Sequence, residues 1–107
     1  MMRKGERTQQ TILERAAPVF NRRGFFGTSL DALIEATGLQ KGGLYNHYAS
    51  KEALAIAAFD HALARTRERY AQALTGKTTV RSRLQAIMET LLSSYADPVV
   101  AGGCIIL

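Results

Sequence analysis

The sequence is poor in several things that would each open a class of function. Cysteine occurs once, at Cys104, so no disulfide can close within the chain and no Cys-based zinc site is available. That usage suits a reducing compartment. Only two histidines are present, His47 and His61, and neither has cysteine or acidic company at metal-ligand spacing, so no metal is expected. Tryptophan is absent, and proline occurs only at positions 18 and 98. No apolar run approaches the ~20 residues that span a bilayer. Residues 1–10 are polar and charged, unlike a signal peptide. The expectation is a soluble, cytoplasmic protein with no membrane partner. No Gly-rich phosphate loop leads into Lys-Ser/Thr, and no nucleophile stands in an evident pairing with a base. Neither an enzyme nor a bound cofactor is expected.

What is present is positive charge and a surplus of helix formers. The net charge is +5, from 14 Lys and Arg against 9 Asp and Glu. Its distribution is uneven. Eight of the 14 cations and only four of the 9 acids lie within residues 1–51. A basic soluble segment most often meets nucleic acid, with anionic membrane as the competitor. The chain is rich in Ala, Leu, Arg and Gln, all good helix formers, and 47% of its 107 residues are hydrophobic, enough to bury a core.

The apolar period is helical throughout. In a first segment Thr8, Ile12, Leu13, Ala16, Val19 and Phe20 recur at spacings of three and four, with Gly24 after Arg22 and Arg23 as the stop. Pro18 predicts a bend there rather than a break. Thr28 and Ser29 offer N-caps to a short helix through Ala36, with Thr28 and Asp31 a candidate reciprocal pair. Gly38, suited to a left-handed backbone, carries the turn. A third helix is predicted over 41–48, with Leu44 and Tyr48 inward. Ser50 caps a long fourth helix over 51–74, whose predicted core face includes Leu54, Ala58, Phe59 and Ala62. There Arg65, Arg67 and Arg69 are read as solvated. A fifth helix is predicted over 79–95, with Val80, Leu84, Ile87, Met88, Leu91, Leu92 and Tyr95 on one stripe. The segment 99–107 is apolar and glycine-bearing, unusual at a free terminus. From this the sequence is expected to be a piece of a longer protein, with Cys104 an apolar filler.

Two short helices joined by a glycine-bearing turn, behind a longer one, are the sequence form of a helix-turn-helix. The second short helix of such a motif enters the DNA major groove. Gly42 and Gly43 at its start permit close approach of the backbone. Tyr45 can donate its hydroxyl to a phosphate or stack on sugar, His47 can donate an N–H, and Lys51 can pair with a phosphate. Each has a plainer alternative: Tyr45 packing on the first helix, His47 an ordinary surface histidine. Arg3, Lys4 and Arg7 form either an arm over DNA or a solubilising tail.

Gly24-Phe25, Thr28-Ser29-Leu30, Ala36-Thr37-Gly38-Leu39, Lys41-Gly42-Gly43-Leu44-Tyr45-Asn46-His47-Tyr48 and Ser50-Lys51-Glu52-Ala53-Leu54 together resemble the TetR family in order and spacing. The resemblance covers roughly residues 7–59. It implies an all-α fold: a three-helix, homeodomain-like helix-turn-helix domain over 1–50, then the first long helices of a TetR-type helical C-terminal domain over 51–107. It also implies a homodimeric repressor on a near-palindromic operator in double-stranded DNA, released when a small-molecule effector displaces the fourth helix. By position Tyr45, His47 and Lys51 match the family's phosphate contacts. Thr28 and Ser29 match a cap that touches the DNA backbone, and Lys41, Gly42 and Asn46 match positions that face bases. With Gln40 and Gly43 these make up the expected DNA-binding set. Gln40 replaces the usual Ser or Thr cap, Gly43 a residue that is often Thr, and Asp31 stands where some members carry a base-reading Arg. Met88, Leu91 and Tyr95 are candidates to line an effector pocket, against core packing as the alternative.

Overall fold

A computed structural model describes residues 3–98. Among them the chain forms five helices: α1 (Lys4–Arg23), α2 (Leu30–Thr37), α3 (Lys41–His47), α4 (Lys51–Leu74) and α5 (Val80–Ala96). The residues 99–107, with Cys104, lie outside the described set.

Local chemistry accounts for the helix ends. Ser29 Oγ accepts from the Ala32 N–H at 3.1 Å, and Ser50 Oγ accepts from the Ala53 N–H at 3.1 Å. Thr79 Oγ1 accepts from the Ser82 N–H at 3.1 Å, while the Ser82 hydroxyl accepts from the Thr79 N–H at 3.2 Å, a reciprocal cap. Gly24 and Gly38 close α1 and α2, both at φ +72, a left-handed angle that disfavours any side chain. The α1 helix runs unbroken through Pro18. Lys4 and Arg7 lie within it, so at those two positions a helix replaces the expected arm or tail.

The core has two parts. Ile12, Ala16, Leu33, Leu44 and Leu54 are buried together, with Leu13, Phe20, Leu30, Ile34, Leu39 and Tyr48 packed around them. This cluster ties α1, α2, α3 and the start of α4 into one head. Further along, Ala17 of α1 meets Ala58 and Ala62 of α4. Alanines at that crossing let the two helices approach closely, so α4 is seated on the head and α5 packs against α4.

Four expectations need correction. Thr28 does not cap α2: it is 1% exposed, and its hydroxyl donates to the Gly24 carbonyl at 2.6 Å. Its one proton closes the turn, and Ser29 takes the cap. Phe59 is exposed rather than in the core. Arg69 is not a free solvated cation, because its Nη1 donates to the Asp97 carbonyl at 2.7 Å and to Ser94 Oγ at 3.5 Å. The largest departure is α5. Its apolar stripe faces outward, and Ala86 and Thr90 are the buried residues.

Candidate nucleic-acid interface

The α2–turn–α3 unit is held from behind. Arg15 of α1 reaches across and its Nη1 donates to the Thr37 carbonyl at 3.3 Å, at the C-terminal end of α2. The Thr37 hydroxyl donates to the Leu33 carbonyl at 2.7 Å and accepts from the Leu39 N–H at 3.4 Å. With Gly38 left-handed, these bonds set the direction in which α3 leaves the turn.

Helical geometry then sorts the residues of α3. At 100° per residue, Lys41, Gly42, Tyr45 and Asn46 fall on one side, while Leu44 falls on the other. Leu44 is buried in the head and the other four are exposed. Gly43 is half-buried, and a Cβ there would sit 3.6 Å from Leu39 Cβ, so it faces the turn, not the solvent. Gly42 has nothing within 4 Å of where its Cβ would be. Gln40, which stands in place of the usual Ser or Thr cap, precedes the helix, is exposed and makes no side-chain cap hydrogen bond.

Around this face the structure gathers part of the expected set. Tyr45 and Lys51 line one shallow cleft with Leu30, Tyr48, Ser50 and Leu54. The Lys51 ammonium lies 4.4 Å from the centroid of the Phe25 ring, a cation–π contact that orders it. Ser29 is exposed at the head of α2 with Asp31 exposed beside it. His47 is half-buried at the last turn of α3, away from the Lys41 side. Tyr48 is half-buried against the head, and burial pushes its phenol above the usual 10.0. Thr28, sealed in its turn, presents no side chain to this surface. Met88, Leu91 and Tyr95 are far from the head on α5, at 63%, 42% and 67% exposure. Core packing is therefore not their role among the described residues. Met88 lines an open groove with Val80, Leu84 and Leu92.

Sequence reading missed Arg15 and Gly27. Nothing in the spacing of Arg15 marks it, because its partner lies 22 residues away. Gly27 carried a readable signal, as the second glycine of Gly-Phe-Phe-Gly.

A family model described as bacterial regulatory proteins of the tetR family matches residues 12–58, from α1 into α4. The crystal structure of a TetR transcriptional regulator from Chloroflexus aurantiacus superposes with a TM-score of 0.92 at 42% identity, over 98% of this chain and 53% of that one. The chain belongs to the TetR family. Its curated relatives include the HTH-type transcriptional regulator LmrA of Bacillus subtilis, 30% identical over 83% of this chain and 48% of the relative. The HTH-type transcriptional repressor NemR of Escherichia coli is 26% identical over 92% of this chain and 50% of the relative. This TetR-family chain thus spans about half the length of the curated relatives it matches. All the residues of the α3 face lie inside the family match. Among the described residues no helix is long and apolar enough to cross a membrane, and no three His, Cys, Asp or Glu stand together as metal ligands.

Proposed function

We propose that this chain is the DNA-reading portion of a transcriptional repressor, acting in the cytoplasm as a homodimer on a near-palindromic operator and released by a small-molecule effector. One observation carries the reading. A two-turn helix buries a single leucine and turns Lys41, Gly42, Tyr45 and Asn46 outward on the basic half of the molecule. In this account residues 1–50 read DNA. Lys41 and Asn46 meet base edges, with Gly42 letting the backbone come close. Tyr45 and Lys51 hold phosphates on either side of their shared cleft, and the exposed Ser29 hydroxyl keeps its proton free for another. His47 and Gln40 reach the backbone at the edges of the footprint. Asp31 repels phosphate and keeps α2 out of direct readout.

Residues 51–107 then begin the domain that dimerises and takes the effector. Two features support this. The outward face of α5 is apolar and uncovered among the described residues, and the matched relatives are about twice as long. α4 is seated on α1 through Ala17, Ala58 and Ala62, so a shift of α4 on effector binding carries the head with it and changes the separation of two heads. Relatives named as transcriptional regulators argue against an enzyme.

The test is retention of genomic DNA fragments by the full-length protein across a salt series. Selective retention of a few fragments, weakening steeply as salt rises, is expected. Lys51→Ala weakens all sequences alike, and Asn46→Ala changes preference at one or two base pairs by about 1–3 kcal/mol. Unselective retention, or none, overturns the reading.

A further inference from the structure

The connection between α1 and α2 displays a side chain that the DNA-reading face does not use. Residues 24–28 run Gly-Phe-Phe-Gly-Thr. Three constraints hold this turn in one shape. Gly24 is left-handed at φ +72. Gly27 lies so close to the Arg23 carbonyl that a Cβ would collide with it. Thr28 is buried and donates to the Gly24 carbonyl. A turn fixed this firmly does not fold its tip inward, and Phe26 is left 96% exposed, the most exposed of the large hydrophobic side chains described.

A single exposed apolar residue is ordinary. The company of Phe26 is not. Its ring meets Phe25 edge-on, with centroids 5.2 Å apart and planes at 77°. The Lys51 ammonium stands over the Phe25 ring at 4.4 Å. Lys51 in turn shares its cleft with Tyr45. Phe26 is therefore joined through Phe25 to the Tyr45–Lys51 group, within the residues 1–51 that carry most of the positive charge.

We propose that Phe26 is a DNA-backbone contact, its ring packing on the deoxyribose beside the phosphate that Lys51 meets. The inference rests on the DNA-binding reading above. Its chemistry is distinct from that of the other contacts. A deoxyribose offers a C–H surface between two phosphates, and a neutral ring buries that surface without neutralising charge or reading a base. The pair Lys51 and Phe26 then grips phosphate and sugar of one strand side by side, with Phe25 as the spacer that fixes their separation.

The two roles separate in a salt series with the full-length protein and a fragment it retains. Phe26→Ala is expected to weaken binding about tenfold at every salt concentration, the scale of a half-buried aromatic ring, with the salt slope unchanged. Lys51→Ala is expected to lower that slope by about one. Phe26→Tyr keeps the ring and keeps the affinity. Phe26→Trp places an indole where these 107 residues have none. Its emission, taken against the unsubstituted protein, is expected to shift on DNA addition. Full affinity in Phe26→Ala, or Trp emission that stays solvent-like at saturating DNA, overturns the proposal while leaving the DNA-binding reading intact. So does a Phe26→Ala protein that changes oligomeric state in sedimentation yet binds DNA normally, which makes the ring a contact between copies. If the unsubstituted protein retains no DNA, the underlying reading fails first.

Discussion

At the scale of single residues, the α1–α2 turn shows how much a missing side chain decides. Gly27 is required because its neighbour is the Arg23 carbonyl, a backbone atom that cannot rotate away. Gly24 is required for its φ. Thr28 fills the space between them with a hydroxyl whose bond is internal. Gly27→Ala is expected to destabilise the fold by about 1–3 kcal/mol, the cost of forcing an extra carbon into a packed site. Thermal unfolding checks this, since a loss of that size lowers Tm by several degrees in a domain of this length. An unchanged Tm would mean that the turn relaxes at no cost.

Among the elements, α3 and α5 carry the contrast between propensity and packing. α3 is a seven-residue helix with two adjacent glycines in its first turn and no side-chain cap. Each interior glycine costs about 0.5–1 kcal/mol relative to alanine. At Gly43 that cost accompanies contact with Leu39, whereas Gly42 faces open space. Gly42→Ala is therefore expected to raise stability by about 0.5–1 kcal/mol while weakening DNA binding, because in the proposed complex the added methyl stands in the way of the DNA backbone. Chemical denaturation and DNA retention measured on the same variant test the split. A variant that gains stability and keeps full affinity removes the close approach. α5 shows the opposite bias. Its outward stripe is more hydrophobic than its packed face, and the packed face is the small one. Ser82, Ala86, Thr90 and Ser94 recur every four residues, the middle two buried and the outer two half-buried. The Thr90 hydroxyl donates to the Ala86 carbonyl at 2.7 Å and that of Ser94 to the Thr90 carbonyl at 2.8 Å, so these side chains satisfy themselves against their own helix. Arg69 of α4 then pins the end of α5 through the Asp97 carbonyl.

Over the whole molecule, α4 is the member that touches both ends. Its first half is packed on α1 and its second half on α5, in a body of 51 × 34 × 19 Å. His61 lies half-buried along α4, where Glu14 of α1 and Arg65 of its own helix act on it. Burial, then the Arg65 charge, lower its pKa below 6.5, and Glu14 partly offsets them. The folded state thus prefers the neutral imidazole, and the unfolded chain takes up the proton first. The contribution of His61 to stability is complete above about pH 6.5 and is lost as pH falls from there through the lower folded value. Urea midpoints between pH 7.5 and pH 5 are expected to fall, and His61→Gln is expected to flatten that part of the profile. An unchanged slope in His61→Gln would assign the pH dependence to other groups.

The sequence by itself determined the order of the helices among the described residues and most of their ends to within a residue, because caps and glycine stops act over three or four residues; the start of α1 at Lys4 was not legible in that way. Ser29, Ser50, Thr79, Gly24 and Gly38 do in the structure what their local chemistry requires. The helix-turn-helix was legible for the same reason, as its pattern is short and contiguous. Only the tertiary structure decided which side of an element meets which neighbour. Periodicity found the apolar stripe of α5 but not that the helix packs by its small residues, since close approach to α4 depends on volume at the crossing. Spacing marked Thr28 as a cap, yet the folded turn buried it with its hydroxyl donating to the Gly24 carbonyl, and Ser29, one residue on, accepts from the Ala32 N–H instead. Arg15 on Thr37, Arg69 on Asp97 and Lys51 over Phe25 join residues more than 20 positions apart. No local rule reaches that far; only the folded chain brings such partners within bonding distance.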